Sequence, residues 1–167
     1  MYGDQQQPMQ VSVIGAGCAG LSLAARAADL PSHKLSLIAP KKDDADDHIW
    51  GFWAMDWLQP ATSAARKQWA NWQIISNDQH VVHQSARHPY CAIHRHRWLQ
   101  DCQGKAEASG VEFRHNVVPQ APAEQIMAGQ ILDSRPPPVP DGMMLQHFVG
   151  WEVKAVAGVF DPTTAIL

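Results

Sequence analysis

Apolar residues come in short runs separated by turn residues, and the runs change period along the chain. Val11, Val13 and Ile14 form a brief β-branched run, which predicts a buried strand. Leu21, Leu23, Ala24, Ala27 and Ala28 give the next segment a small, apolar face, which predicts a helix packed closely on a sheet and ended by Pro31 and Ser32. Lys34–Ala39 predicts a second strand, parallel to the first through a right-handed crossover. Ala61–Trp72 has room for a short helix. Trp72–Ile75 and His80–His83 predict two strands around the turn Ser76-Asn77-Asp78, an antiparallel excursion. Tyr90–His115 reads as a short extended stretch, a helix from about Arg95 to Ser109 stopped at Gly110, and the strand Val111–His115.

Beyond Asn116 the periodicity fades. Val117–Gly129 reads as loop with room for one helical turn, and Ile131-Leu132 as a short strand. Pro136, Pro137, Pro138 and Pro140 forbid helix and predict an extended loop. Leu145–Lys154 predicts a strand bent at Gly150, and Phe160-Asp161-Pro162 a turn before the apolar Ala165-Ile166-Leu167. No internal repeat is present. Residues 1–10 read as a disordered leader and 11–167 as one domain. The leader carries Asp4 and no lysine or arginine, so neither secretion nor lipoprotein processing at Cys18 is expected.

Composition narrows the classes. At 46% hydrophobic, 167 residues can close a core, and a net charge of −3 argues against a nucleic-acid binder. Cys18, Cys91 and Cys102 are an odd set without paired spacing, which favours free thiols in a reducing compartment. No apolar run approaches the ~20 residues of a membrane-spanning helix.

The strongest chemical signal is VSVIGAGCAG. Gly15, Gly17 and Gly20 give G-x-G-x-x-G between a predicted strand and a predicted helix, the context a dinucleotide site requires. Gly15 allows the tight turn, Gly17 lets a pyrophosphate approach the backbone, and Gly20 lets the helix sit against the strand. The N–H groups of the loop, with Ala16, Cys18 and Ala19 between the glycines, suit a bound anion. The expected architecture is therefore α/β, a Rossmann-like FAD/NAD(P)-binding fold whose parallel sheet and helices carry an antiparallel excursion. One part of the pattern is missing. The second strand ends in Ala39-Pro40-Lys41-Lys42, where an acid normally binds the adenosine ribose, and Asp43, Asp44, Asp46 and Asp47 come several residues late.

Other candidates are weaker. Trp50, Trp53 and Trp57 have i, i+3, i+7 spacing, which favours a core stripe over a ligand cavity. His94-Arg95-His96-Arg97 at a helix start offers a phosphate partner, Arg95 above all, or a solvated helix end. Cys91, His94, His96 and Cys102 span a strand and a helix, which is poor zinc-ligand spacing, and no metal is expected. No nucleophilic triad is discernible.

Taken together these segments resemble the bacterial lycopene cyclases, flavoproteins of carotenoid synthesis. GAGCAGLSLA is similar to their nucleotide motif. Asp47-His48-Ile49-Trp50-Gly51-Phe52-Trp53 is similar to their D-[HR]-T-W-x-F-W, Tyr90–Trp98 to their Tyr-x-x-Ile segment, and Asp133-Ser134-Arg135-Pro136-Pro137 to their D-[AS]-R-P-P. LQHFVGWEV and FDP follow in family order.

The resemblance implies closure of the linear ends of lycopene into β-ionone rings, an isomerisation begun by an acid and dependent on reduced FAD, with NAD(P)H keeping the flavin reduced. It also implies a polyene partner drawn from the membrane, and so a bacterial cytoplasmic protein peripheral to the inner membrane. The matched positions imply cofactor contacts at Gly15–Gly20, Arg95, Asp133 and Arg135, and a flavin or polyene cavity at Trp50, Phe52 and Trp53. Family chains are much longer, and their acidic segment lies beyond the FDP match. No catalytic residue is therefore expected within 1–167, which reads as a truncated N-terminal portion. A non-catalytic nucleotide-binding fragment and an FAD- or NAD-dependent oxidoreductase of the same fold are the alternatives.

Overall fold

The computed structural model describes residues 8–41, 47–116, 129–144 and 153–167. It divides into two compact units: Met1–Asp47 with Arg95–Pro137, and His48–His94 with Pro138–Leu167. In the sequence the antiparallel segment lies between the second parallel strand and the long helix, and it pairs with residues of its own unit.

The first unit is built on a parallel sheet. Strand β1 (Met9–Ile14) leads through the glycine loop into helix α1 (Cys18–Ala24) and back to strand β2 (His33–Ile38). The pair is parallel and in register from Met9 opposite His33 to Ile14 opposite Ile38, the βαβ arrangement expected. After helix α3 (Arg95–Ala108) comes strand β8 (Glu112–Arg114), parallel to β2, and strand β9 (Gln130–Asp133) runs parallel to β1. The sheet order is β8-β2-β1-β9. One face of the sheet, Val11, Val13, Leu35 and Leu37, packs on Leu21 and Ala24 of α1 and on Cys102 and Ala106 of α3. The small residues let both helices sit close, and Trp98 Nε1 donates to Ser22 Oγ at 3.1 Å between them.

Two boundaries differ from expectation and a third agrees. β1 begins at Met9, so the last two residues of the presumed leader join the sheet; parallel pairing with His33 and Lys34 carries the strand through polar Gln10. Residues 1–7 lie outside the described residues. The helix expected to run to Leu30 ends at Ala24 and passes into a 3₁₀ turn at Ala27–Asp29, because the Arg26 N–H bonds Leu23 O and tightens the chain. Gly110, with φ of 77°, stops α3 as predicted.

The second unit is antiparallel except at one edge. Strand β3 (Ile49–Trp53) and strand β4 (Lys67–Trp69) flank strand β7 (Tyr90–His94), while strand β5 (Asn71–Ser76) and strand β6 (Gln79–Gln84) form the predicted hairpin, with Asn77 at φ 43° in its turn. Strand β10 (Thr164–Ile166) adds parallel to β5. The helix expected over Ala61–Trp72 shrinks to α2 (Gln59–Ser63), and Lys67–Trp69 pairs with β7 instead. The tryptophan stripe is corrected as well. Trp50 and Trp53 lie on a strand, not a helix, so period two rules and they face opposite sides. Trp53 is 43% exposed and Trp57 74%, so neither is a core residue. The loop expected over Val117–Gly129 and the strand expected over Leu145–Lys154 fall largely outside the described residues; Val153 and Lys154 are not in a strand.

Candidate functional site: the glycine loop and the strand beside it

Gly15 leaves β1 at φ 101°, a conformation open to glycine, and its N–H bonds Ile38 O at 2.9 Å, which ties the turn to the end of β2. A Cβ at Gly20 would overlap the Gly15 carbonyl, so only glycine lets α1 approach the strand end. Gly17 is the helix N-cap, in extended conformation, and a Cβ there would meet nothing within 4 Å. Of the two glycines, then, Gly20 is required by the chain's own packing. Gly17 faces open space and is not required by it. Cys18 is exposed beside it. The first-turn N–H groups have no carbonyl one turn earlier to bond.

The structure brings the Asp133-Ser134-Arg135 segment to this loop. β9 pairs with β1 as far as Ile14 opposite Asp133, so the residue after the strand lands against the glycine turn. Ser134 donates its N–H to Ile14 O at 2.8 Å and its hydroxyl to Ile14 O at 2.8 Å and Gly15 O at 3.2 Å. Its Oγ would lie 2.6 Å from a Cβ at Gly15 and 3.0 Å from one at Gly20. On either side of it, Arg135 grips Asp133 through Nε to Oδ1 at 2.9 Å and Nη2 to Oδ2 at 2.7 Å, with the Arg135 N–H bonding Oδ1 at 3.0 Å. The hydrogen bond from Arg135 holds the Asp133 carboxyl below the usual carboxylate range. Ser134 was not singled out from sequence; its only signal was its place between two matched charged residues.

The other expected cofactor contacts are placed as follows. Ala39, where an acid normally binds the ribose, is buried at the end of β2 and donates its N–H to Arg114 O at 3.1 Å. Residues 42–46 lie outside the described residues. Asp47 accepts the His96 N–H at 2.8 Å, so this carboxylate of the D-H-I-W-G-F-W segment anchors the first turn of α3. Arg95 is the first residue of that helix and is half-buried.

Within the second unit an open, mostly apolar groove of about 710 Å³ is lined by Ile49, Gly51, Trp69, Tyr90, Phe160 and Ile166, among others. Trp50, Phe52 and Trp53 do not line it; their strand contributes Ile49 and Gly51 instead. The Tyr90 ring lies diagonally over Gly51, and a Cβ there would overlap its hydroxyl. Trp53 meets Tyr90 edge-on at 5.3 Å. A glycine inside a strand run is the signal that could have marked this close approach.

Among the described residues, three carboxyls have clearly shifted acidity, and none of the three is a poised proton donor. Asp133, Asp161 and Glu112 are all held below the usual range by hydrogen bonds from Arg135, from Thr163 and Thr164, and from Arg114, and so are charged near neutrality. Among the described residues no three His, Cys, Asp or Glu side chains gather as a metal site, and no helix is long and apolar enough to cross a membrane.

Residues 10–167 match the family model described as lycopene cyclase protein. The chain belongs to the lycopene cyclase family. None of the curated proteins matches it. Among solved structures it is similar to the tetrameric form of 2-methyl-3-hydroxypyridine-5-carboxylic acid oxygenase, at 16% identity and a TM-score of 0.51 over 65% of this chain and 31% of that one. It is similar at the same identity and TM-score to the flavin-dependent brominase Bmp2, over 68% of this chain and 30% of that one. These likenesses show the α/β fold with its parallel sheet. The chain spans about a third of the length of these relatives.

Proposed function

We propose that this chain supplies the dinucleotide-binding portion of an FAD-dependent lycopene β-cyclase, which closes the linear ends of lycopene into β-ionone rings. Family membership supports the reading, and one structural observation carries it: of the three loop glycines, Gly15 and Gly20 are closely packed, whereas at Gly17 a Cβ would enter open space. A glycine the protein does not need for its own packing has a use if a pyrophosphate lies against it. The neighbouring brominase is named flavin-dependent, which agrees with FAD as the dinucleotide.

In this reading Gly15–Gly20 hold the pyrophosphate, with Ala16, Cys18 and Ala19 offering backbone N–H groups and Gly20 keeping α1 close. Asp133 and Arg135 shape the loop from β9, and Arg95 reaches a phosphate from the start of α3. Ala39 gives the ribose no carboxylate, so that end of the dinucleotide is held by other groups. Trp50, Phe52 and Trp53 are the proposed contacts for flavin or polyene by family resemblance, Trp50 and Phe52 on one side of β3 and Trp53 on the other. Reduced FAD, kept so by NAD(P)H, supplies an electron-rich ring beside a developing cation, which lowers the cation's energy. The proton donor is a carboxylic acid other than Asp133, Asp161 and Glu112, whose protons are already lost near neutrality. A polyene substrate requires peripheral contact with the bacterial inner membrane.

The test is Gly17→Val. Because Gly17 sits in extended conformation with nothing near its Cβ, the variant keeps its thermal midpoint and loses FAD binding measured by flavin fluorescence. Wild-type affinity in a folded Gly17→Val would overturn the dinucleotide assignment.

A further inference from the structure

We propose that Ser134 is a positioning residue that sets the polarity of the glycine loop: its hydroxyl holds the Gly15 carbonyl on the β9 side, so that the Ala16 N–H points to the opposite, ligand-facing side. The inference rests on the FAD reading and deepens it.

The argument starts from the peptide unit. In a trans peptide the C=O of Gly15 and the N–H of Ala16 point in opposite directions. Whatever fixes one fixes the other. Ser134 Oγ lies 3.2 Å from Gly15 O and 2.8 Å from Ile14 O, so one hydroxyl spans the last carbonyl of β1 and the first of the loop. Turning the Gly15–Ala16 peptide over rotates ψ of Gly15, which glycine tolerates, and carries φ of Ala16 from its negative value towards the left-handed region, so the Ser134 hydrogen bond reinforces a backbone preference of Ala16. A turned peptide would present a carbonyl oxygen where an anion needs a donor.

Position as well as chemistry selects Ser134. Its main-chain N–H is bonded to Ile14 O at 2.8 Å, which seats the residue at the end of the β1–β9 pairing. The residues on both sides of it are tied together, since Arg135 reaches back two residues to Asp133 through both its main-chain N–H and its guanidinium. The Oγ also occupies the space a Cβ at Gly15 would take. Ser134 thus reaches a loop 119 residues earlier in the chain.

The test compares Ser134→Ala and Ser134→Thr with wild type in the intact chain. Three readouts are taken: FAD affinity by fluorescence titration, the ³¹P resonances of the bound pyrophosphate, and the thermal midpoint without ligand. Ser134→Ala is expected to bind FAD about tenfold more weakly and to move the ³¹P resonances. Ser134→Thr, which keeps a hydroxyl, is expected to restore both. A purely structural serine would lower the midpoint and leave the ³¹P resonances of the remaining complex in place, and that result overturns the proposal. So does wild-type affinity in Ser134→Ala. If Ser134→Ala does not fold, Ser134→Thr decides alone: weakened binding or displaced resonances in that variant overturn it. Failure of wild type to bind FAD would instead remove the dinucleotide reading itself.

Discussion

The two units solve the same problem, burying apolar surface on a small sheet, with different completeness. In the first unit Val11, Val13, Ile14, Leu35, Leu37 and Ile38 are all at 5% exposure or less. Two helices cover one face of that sheet, and small residues on α1 and α3 let them lie close. In the second unit the hairpin of β5 and β6 leaves Ile74, Ile75, Val81 and Val82 between 46% and 59% exposed. Ring contacts cross this unit, Trp53 on Tyr90 and Trp72 stacked on His83 at 5.9 Å, and its buried residues gather on β7 at Cys91, Ala92 and Ile93. The lesson concerns where each unit is brittle. A closed core resists change at single backbone positions, whereas a surface built from rings and hairpin pairs yields.

The same substitution in each unit exposes this difference, and the largest effect is at glycine. Gly20→Ala places a methyl on the Gly15 carbonyl, a backbone group that moves only if helix and strand separate. Helix propensity alone would favour alanine by up to ~1 kcal/mol. Overpacking against backbone outweighs it, and we expect a net loss of about 3 kcal/mol in denaturant unfolding, with FAD binding lost as well. Gly51→Ala meets the end of a side chain instead. The Tyr90 ring can swing, at the cost of its edge contact with Trp53 and its place in the groove, so the loss is about 1–2 kcal/mol, with a change in tryptophan fluorescence. Equal losses at the two glycines would break the comparison.

Legibility from sequence follows the same division. The βαβ start, the hairpin around Asn77, the long helix and its stop at Gly110 were all readable, because each rests on local periodicity and turn chemistry. The glycine loop was readable as a motif. What joins it to Ser134 was not, because parallel pairing of β9 with β1 is non-local and four residues, Gln130–Asp133, carry almost no pattern. The tryptophans misled for a related reason. Trp50, Trp53 and Trp57 match a helical stripe by spacing, but Gly51 between them weakens a helix and leaves the space that Tyr90 takes on the neighbouring strand. The absence of a carboxylate at Ala39 was visible in sequence; that Ala39 belongs to the core was not.

The smallest effects come from the same isosteric change at two valines. Val→Thr keeps the volume and the β-branch, so strand propensity barely alters and the comparison isolates the hydroxyl. Val13 is 1% exposed at the centre of the parallel sheet, between Leu37 on β2 and Leu132 on β9. A hydroxyl there loses water among apolar neighbours, and Val13→Thr should cost about 1–3 kcal/mol. Val82 is 59% exposed on β6, opposite Gln73 on β5. There the hydroxyl keeps its water, and Val82→Thr should change stability by no more than about 0.5 kcal/mol. The variant also removes apolar surface on the hairpin face that carries Ile75, so it should raise the concentration at which the chain stays monomeric in light scattering. A loss at Val82 as large as that at Val13 would mean that the hairpin face is covered in solution, and the contrast between a closed and an open unit would fail.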